Sequence, residues 1–292
     1  MKSSWAGSAH AANSAQASCS SQAVSRLSGS PSYLLPHHDS LTTLQPMRRI
    51  PQSAPAQHPL VSFFWSGDAI RSRSVSEVVL CGTLDVPAPP VRLVADWQRD
   101  IALRLGLVPG DVEALSLPRA RMRRLDYQHC VQAASNWTAL HEMPDLLADC
   151  EVALMACRGA SYHHDGARYG GAAFCNLFLS EDKGLDLHFP CIGRRIPLTR
   201  GTAVIFDTGQ PHAVIARGSS GFDAANFPAE RDCTQVFLTW ELPVENVGIR
   251  RALEIEFDVD AAASVVLNEE QVWVNGARGE VCPDSGRWCP AD

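Results

Sequence analysis

The sequence lacks the local signatures of several common types of enzyme and membrane protein. No C-x-x-C pair occurs, which argues against a structural zinc site. No apolar stretch approaches the roughly 20 residues that a membrane-spanning helix needs. A serine-hydrolase elbow, a phosphate-binding loop and a dinucleotide fingerprint are also missing. The net charge of −7 gives no electrostatic reason to expect nucleic-acid binding.

The composition divides the 292 residues into three parts. Residues 1–58 are rich in Ser, Ala, Gln and Pro, and Asp39 is their one acidic residue. Such a segment cannot bury enough apolar surface to order itself, which predicts a disordered leader. A targeting or export leader and an upstream extension before a true start at Met47 are the alternatives. We expect residues 59–245 to form the main domain and 246–292 to hold strands and a Cys-containing tail, as a small module or extra strands on the main sheet.

Two short stretches carry the chemistry, "SYHHDGARYGG" and "GTAVIFDTGQPHAVIARG". Side chains at i and i+2 of a strand share a face, so His163 and Asp165 can reach one metal while His164 points away. In the second stretch "TAVIFD" predicts a strand and "TGQP" a turn, and His212 then opens another apolar strand. Two imidazoles and one carboxylate form the facial triad that holds non-haem Fe(II) with open positions for oxygen chemistry. We therefore predict that His163, Asp165 and His212 bind a metal.

Hydrophobic patterns predict the surrounding elements. Apolar residues at helical spacing predict a helix at 91–107. The segment 143–158 is typical of a helix start that passes into a strand. Alternating or continuous apolar runs predict strands at 60–65, 76–86, 172–180, 202–207, 253–259 and 271–274.

The stretch from about 155 to 242 resembles the 2-oxoglutarate and Fe(II)-dependent dioxygenases, and within them the prolyl-hydroxylase-like group. "HHDGARYGGAAFCNLFLSEDKG" matches the first half of the family's core, "LTRGTAVIFDTGQPHAV" the second half, and "RDCTQVFLTWELP" the last strand. The resemblance implies a mostly β fold with flanking helices: a double-stranded β-helix, in which two antiparallel sheets form a squashed barrel with iron at its mouth. It also implies a hydroxylase that uses Fe(II), 2-oxoglutarate and O2 on a peptide side chain or a small molecule.

In that family a basic residue on the final core strand binds the far carboxylate of 2-oxoglutarate. The physical need is an inward-facing cation, because Arg grips a buried carboxylate bidentately. Arg231 opens the last strand and is the predicted anchor, with the hydroxyl of Thr234 beside it. Arg217, five residues after His212, is the alternative. Asn176 lies in mid-strand, where a buried amide needs partners, so it is predicted to touch the cosubstrate or to make an ordinary hydrogen bond.

Two other function classes stay open. One is a metal-binding barrel of the cupin type with different chemistry, which loss of the Arg231 role would favour. The other is a non-catalytic β-helix that serves as a binding module or a secreted effector. A peptide or small-molecule partner is expected rather than nucleic acid or a membrane, and a cytoplasmic location rather than secretion.

Most of the ten cysteines lie in or near apolar elements, which predicts reduced, buried thiols. Cys282 and Cys289 can close a small disulfide loop, but a reducing cytosol would keep them free. The basic run at 119–124 is interpreted as a solvated face, with contact to an acidic partner as the alternative.

Overall fold

The structure is a computed structural model that describes residues 60–115 and 124–290. The predicted leader at 1–58 and most of the basic run at 119–124 lie outside these ranges. The strands within them are β1 Leu60–Ser66, β2 Ala69–Ser74, β3 Leu80–Thr83, β4 Val112–Leu115, β5 Val152–Cys157, β6 Ala160–His163, β7 Ala172–Phe178, β8 Leu185–Phe189, β9 Arg194–Pro197, β10 Thr202–Asp207, β11 His212–Ala216, β12 Gln235–Pro243, β13 Gln271–Val274, β14 Ala277–Val281 and β15 Trp288–Pro290.

The helices are α1 Val91–Asp100, α2 Arg124–Leu140, α3 Val247–Ala252 and α4 Ala261–Ser264, with a π-helical turn at Ile101–Leu105 and a 3₁₀ turn at Ala224–Asn226. In α1 the apolar spacing places Leu93 and Trp97 on one buried face. Together, α1 and the π-helical turn confirm the helix predicted at 91–107. None of the helices in the described ranges has the length and apolar character needed to cross a membrane.

Two antiparallel sheets enclose a common interior. The major sheet has the order β3-β10-β7-β12-β5-β4, and the minor sheet has the order β6-β11-β8-β9. The strands β5 to β12 contribute four to each sheet, as β10-β7-β12-β5 and β6-β11-β8-β9. This interleaved order is that of a double-stranded β-helix, so the predicted fold is confirmed. β3 and β4 extend the major sheet at its two edges.

The major sheet is apolar on both faces because it separates two clusters of buried side chains. Its outer face packs against the helices in a cluster that includes Leu154, Leu177, Leu238, Trp97 and Trp137. Its inner face packs against the minor sheet in a cluster that includes Phe178, Phe206, Phe237, Leu187 and Phe189. The helices therefore brace the outside of the barrel, as the family resemblance implied, while aromatic rings fill much of its interior.

A third sheet joins the two ends of the described chain. Its order is β15-β14-β13-β1-β2, and Leu60 in β1 lies opposite Val274 in β13. The rings of Phe63 and Trp273 meet edge to face across this pair, 5.1 Å apart. The C-terminal strands are thus neither a separate module nor an extension of the main sheet, because they pair with the N-terminal hairpin.

Two element predictions were wrong. The segment 253–259 forms no strand; Phe257 makes a single isolated bridge with Arg73. Its alternating pattern instead puts Leu253 and Ile255 into the outer-face cluster. Residues 144–149 form turns rather than a helix start, although the strand that follows is present as β5. In both segments the spacing of the apolar residues reflects their burial in the core, and turns can bury such residues as well as strands or helices can.

Candidate metal centre

The three predicted ligands come from two neighbouring strands of the minor sheet and from the turn that follows one of them. β6 ends at His163, Asp165 follows in the next turn, and β11 begins at His212, which lies directly opposite His163. One ligand atom from each of the three residues lies within 4.8 Å of the others. The structure therefore brings together the set that the sequence pattern predicted.

Hydrogen bonds orient both imidazoles in the same way. Nδ1 of His163 lies 2.7 Å from the carbonyl oxygen of Ser161, and Nδ1 of His212 lies 2.9 Å from that of Gln210. Because a carbonyl only accepts, each Nδ1 carries the proton and each Nε2 keeps a free lone pair. The two Nε2 atoms lie 3.9 Å and 3.5 Å from Oδ2 of Asp165. This convergence of two nitrogens and one carboxylate oxygen fits Fe(II).

The cluster is closed on one side and open on the other. The side chain of His212 is 8% exposed, whereas those of Asp165 and His163 are 25% and 35% exposed. Inside the barrel the ring of Phe206 lies edge-on to His212, with centroids 4.8 Å apart. The open side gives ligands from solvent access to a metal held by these residues.

Direct contacts hold the turn after β6 (164–171, the first turn) against the turn before β11 (208–211, the second turn). The backbone N–H of Asp165 donates to the carbonyl of Thr208 at 2.8 Å. The Thr208 hydroxyl in turn donates to two carbonyl oxygens, one in the first turn at 2.7 Å and one at the start of β7 at 2.8 Å. The turns approach so closely that a Cβ at Gly166 would lie 3.0 Å from Cα of Gly209. Glycine at 166 is therefore a requirement of this contact.

The C-terminal strands support the first turn from behind. His164 points away from the ligands, as predicted, and its ring lies 4.8 Å from that of Trp288. Glu270 accepts a hydrogen bond from the backbone N–H of Gly170 at 3.1 Å. Sequence patterns do not predict this support, because residues 100 or more positions apart carry no local signal of contact.

A buried ion pair ties the same turns to the N-terminal hairpin. Arg73 and Asp207 are both fully buried and form two hydrogen bonds, of 2.6 Å and 2.9 Å. Nε of Arg73 also donates to the carbonyl of Gly170 in the first turn, at 2.7 Å. Asp207 accepts two more hydrogen bonds from backbone N–H groups, each 2.8 Å long. Arg73 thus holds both turns that carry metal ligands.

Burial keeps two histidines of the centre neutral. It lowers the pKa of His212 to about 4, and the neighbouring His163 lowers it further while Asp165 opposes the shift. Burial likewise lowers the pKa of His164 to about 4. A neutral imidazole is the form that binds a metal, so His212 is ready to bind throughout the physiological pH range.

The metal-free protein is expected to lose stability as the pH falls from about 6.5, where an unfolded His titrates, towards 4. In this window the unfolded chain binds more protons than the folded one, so the free energy of unfolding falls with pH. Each of the two histidines should contribute about 2 kcal/mol of this loss between pH 7 and pH 5. Urea unfolding of wild type and His164→Gln at both pH values measures it. An equal loss in both proteins would contradict the assignment to His164.

The structure does not bring the two candidate arginines into the barrel. Arg231 is exposed, and its Nη2 donates to the carbonyl of Lys183 at 3.0 Å. Arg217 forms ion pairs with Asp182 at 2.8 Å and Asp186 at 2.9 Å. These contacts lie around the turn between β7 and β8, at the barrel end away from the metal ligands. The physical reason is that Arg231 precedes β12, so strand alternation does not direct it inward.

The other two residues predicted for the cosubstrate lie in different surroundings. Thr234 lines a cleft of about 110 Å³ between α1 and the barrel, together with Trp97. Asn176 lies in the middle of β7 and faces the barrel interior, because Phe178, two residues further, belongs to the interior cluster. Of the residues predicted to bind the cosubstrate, Asn176 is the one placed in the barrel.

No protein-family model matches the chain, and no curated protein matches it. Among solved structures, a prolyl-4-hydroxylase of Pseudomonas putida is similar, with 18% identity over 56% of this chain and 92% of that one and a TM-score of 0.33. A viral collagen prolyl hydroxylase from Paramecium Bursaria Chlorella virus-1, in complex with 2OG, has 7% identity over 52% and 87% of the two chains and a TM-score of 0.31.

A non-heme alpha ketoglutarate dependent epimerase, SnoN from nogalamycin biosynthesis, is also similar, with 12% identity over 56% of this chain and 78% of that one and a TM-score of 0.29. The fold assignment itself rests on the strand order of this chain, and the function proposed below rests on its metal centre.

Proposed function

We propose that this protein is a non-haem Fe(II)- and 2-oxoglutarate-dependent dioxygenase that hydroxylates a C–H bond of a peptide side chain or a small molecule. The observation that carries the proposal is the convergence of two Nε2 atoms and one carboxylate oxygen within 4.8 Å in a double-stranded β-helix. Three protein donors leave positions for a chelating 2-oxo acid and for O2. Once bound, these groups supply oxidative decarboxylation of 2-oxoglutarate to succinate and CO2, coupled to hydroxylation.

The chain's own residues hold, orient and shield the reacting groups. Backbone carbonyls fix both imidazoles in the tautomer that presents Nε2. Phe206 covers the inner side of His212 and keeps water from it. Tyr169, Phe174 and Phe206 form an aromatic series towards the metal centre, with centroids 5.2 Å and 6.1 Å apart. An apolar surface of this kind supports a substrate whose reacting carbon is aliphatic.

The test is O2-dependent succinate formation from 2-oxoglutarate by anaerobically purified protein loaded with Fe(II). Calorimetric titration with the metal is the second readout. His163→Gln should lose both metal binding and succinate formation, because it removes an Nε2 donor. His164→Gln is the matched control, since the adjacent ring faces away from the ligands and lies against Trp288. It should retain both properties.

Three outcomes separate the function classes. Succinate formation that disappears in His163→Gln and persists in His164→Gln supports the dioxygenase. Metal binding with O2 consumption but no succinate supports the cupin-type alternative. Failure to bind the metal at all contradicts both enzyme proposals and supports a non-catalytic binding module.

The partners of the two candidate arginines favour the cupin-type alternative. Both Arg231 and Arg217 are engaged with partners outside the barrel, so neither is placed to pair with a buried dicarboxylate. A metal-binding barrel that works without a 2-oxo acid has no need of such a cation.

We also propose that the substrate is either a peptide or a small molecule and that the protein is cytoplasmic. The nine cysteines in the described ranges are all free thiols, Cys282 and Cys289 included. Free thiols in this number support a reducing compartment.

A further inference from the structure

The inner face of the major sheet is organised in rungs, which are sets of residues directly opposite one another on β10, β7 and β12 with side chains in the barrel. The first rung is Phe206, Phe174 and Glu241. It lies at the level of the metal ligands, because the ring centroid of Phe206 is 4.8 Å from that of His212. Ligands that bind the metal on its inner side extend from this rung into the barrel.

The second rung lies one step deeper, and two of its three members are polar. It consists of Val204, Asn176 and Thr239. Residues two apart on a strand are separated by roughly 7 Å, which is therefore the spacing of the rungs. The carbon chain of 2-oxoglutarate, with bonds of about 1.5 Å, spans at most about 6 Å. A 2-oxo acid of this length that chelates the metal with one end meets the second rung with the other.

Two oxygen atoms of the second rung are buried without hydrogen bonds. Asn176 is 7% exposed and Thr239 is 9% exposed. Neither Oδ1 of Asn176 nor Oγ1 of Thr239 has a hydrogen-bond partner among the described residues. Native proteins rarely leave buried polar atoms unpaired, so such a pair side by side on adjacent strands points to a ligand that satisfies both.

The deeper barrel is closed behind this pair. The third rung holds Phe178 and Phe237, whose rings stack with centroids 5.0 Å apart. Gln235 lies one rung beyond them, and Arg231 lies four residues further back along the chain. β12 itself, "QVFLTWELP", contains no Lys or Arg. A ligand held at the metal therefore meets a neutral, hydrogen-bonding subsite with an aromatic floor.

We infer that Asn176 and Thr239 bind the far end of the cosubstrate through hydrogen bonds, and that this subsite accepts a 2-oxo acid with an uncharged carboxamide end at least as well as 2-oxoglutarate. This inference rests on the proposed function. A carboxamide donates its N–H to Oδ1 of Asn176 and accepts from the Thr239 hydroxyl, so both unpaired atoms are satisfied. A carboxylate only accepts, so it can pair with the Thr239 hydroxyl or the side-chain NH2 of Asn176, but it leaves Oδ1 of Asn176 unpaired and is buried without a counter-ion from the rung.

The decisive experiment compares two ligands that differ only at the far end. N-oxalylglycine has the length and both acid groups of 2-oxoglutarate, and N-oxalylglycinamide replaces the far carboxylate by a carboxamide. Each is titrated calorimetrically into the full-length protein loaded with Mn(II). The amide should bind at least as tightly as the acid. A site built on a buried ion pair would instead favour the acid by about 100-fold or more. Preference for the acid above tenfold overturns the inference.

Variants locate the subsite independently. Thr239→Val keeps the shape but removes the hydroxyl, and it should weaken the amide about tenfold because one hydrogen bond is lost. Thr234→Val is the matched control, since Thr234 lies at the outer cleft, and it should leave the affinity unchanged. Equal affinities in wild type and Thr239→Val would overturn the inference.

The experiment also separates this inference from the proposed function. Mn(II) binding is measured first, and its absence would overturn the proposed function together with the subsite. Metal binding without binding of either oxalyl ligand overturns the subsite together with the use of a 2-oxo acid, and it supports the cupin-type alternative. Metal binding with preference for the acid above tenfold overturns the subsite alone. Binding of both ligands, with the amide equal or tighter, supports the two proposals together.

Discussion

His212→Ala is expected to abolish metal binding in a protein that stays folded. His212 supplies the innermost of the three donors, and the backbone carbonyl of Gln210 holds its ring with Nε2 towards Asp165. Removing a group that hydrogen-bonds a metal ligand lowers metal affinity about 10- to 100-fold. Removing the ligand itself should therefore lower metal affinity more than about 100-fold. The variant lacks the buried His212 imidazole of lowered pKa, so the loss of stability that this group causes between pH 7 and pH 5 should be absent.

Calorimetric titration of wild type and variant with Fe(II) under anaerobic conditions, or with Mn(II), measures the loss. His188→Ala serves as the control, because its ring contacts the Tyr162 hydroxyl at 2.7 Å rather than the metal ligands. A variant at position 212 that retained wild-type affinity would show that the metal binds elsewhere, and the proposed function would then lose its main observation.

Arg73→Met is expected to destabilise the protein by about 3–5 kcal/mol. The change removes the cation from a pair in which both side chains are 0% exposed, and it leaves Asp207 charged and buried. Asp207 keeps its two backbone hydrogen bonds, but these do not replace a bidentate guanidinium. Because Arg73 also holds the carbonyl of Gly170, the two ligand turns should loosen, and metal affinity should fall about 10- to 100-fold.

Denaturant unfolding and metal titration test the two effects separately. Arg71→Met is the matched control on the same strand, since Arg71 pairs with Asp258 and Glu245 at a partly exposed site and should cost no more than about 1 kcal/mol. Arg73→Met combined with Asp207→Asn should recover part of the lost stability, because the amide oxygen keeps one of the two backbone hydrogen bonds and no charge is buried. Equal effects of Arg71→Met and Arg73→Met would contradict the role of burial.

The metal ligands could be predicted because their signals are local. β6 positions His163, Asp165 follows two residues later in the adjoining turn, and a turn followed by an apolar strand positions His212. The order and spacing of these motifs also carried the fold resemblance, which the strand order confirmed. The predicted strand at 253–259 was wrong because its alternation serves burial against the core without a neighbouring strand to pair with.

The sequence by itself determined the class of fold, several of its strands and the three metal donors, since each depends on residues close together in the chain. Only the tertiary structure decided what surrounds the donors. Arg73 meets Asp207 across 134 positions, and Asn176 meets Thr239 through the register of two strands far apart in the chain. The orientation of Arg231 belongs to the same group, because a residue outside a strand has no alternation to direct it. Such contacts depend on how strands pair, and pairing is set by the packing of the whole barrel rather than by any local pattern.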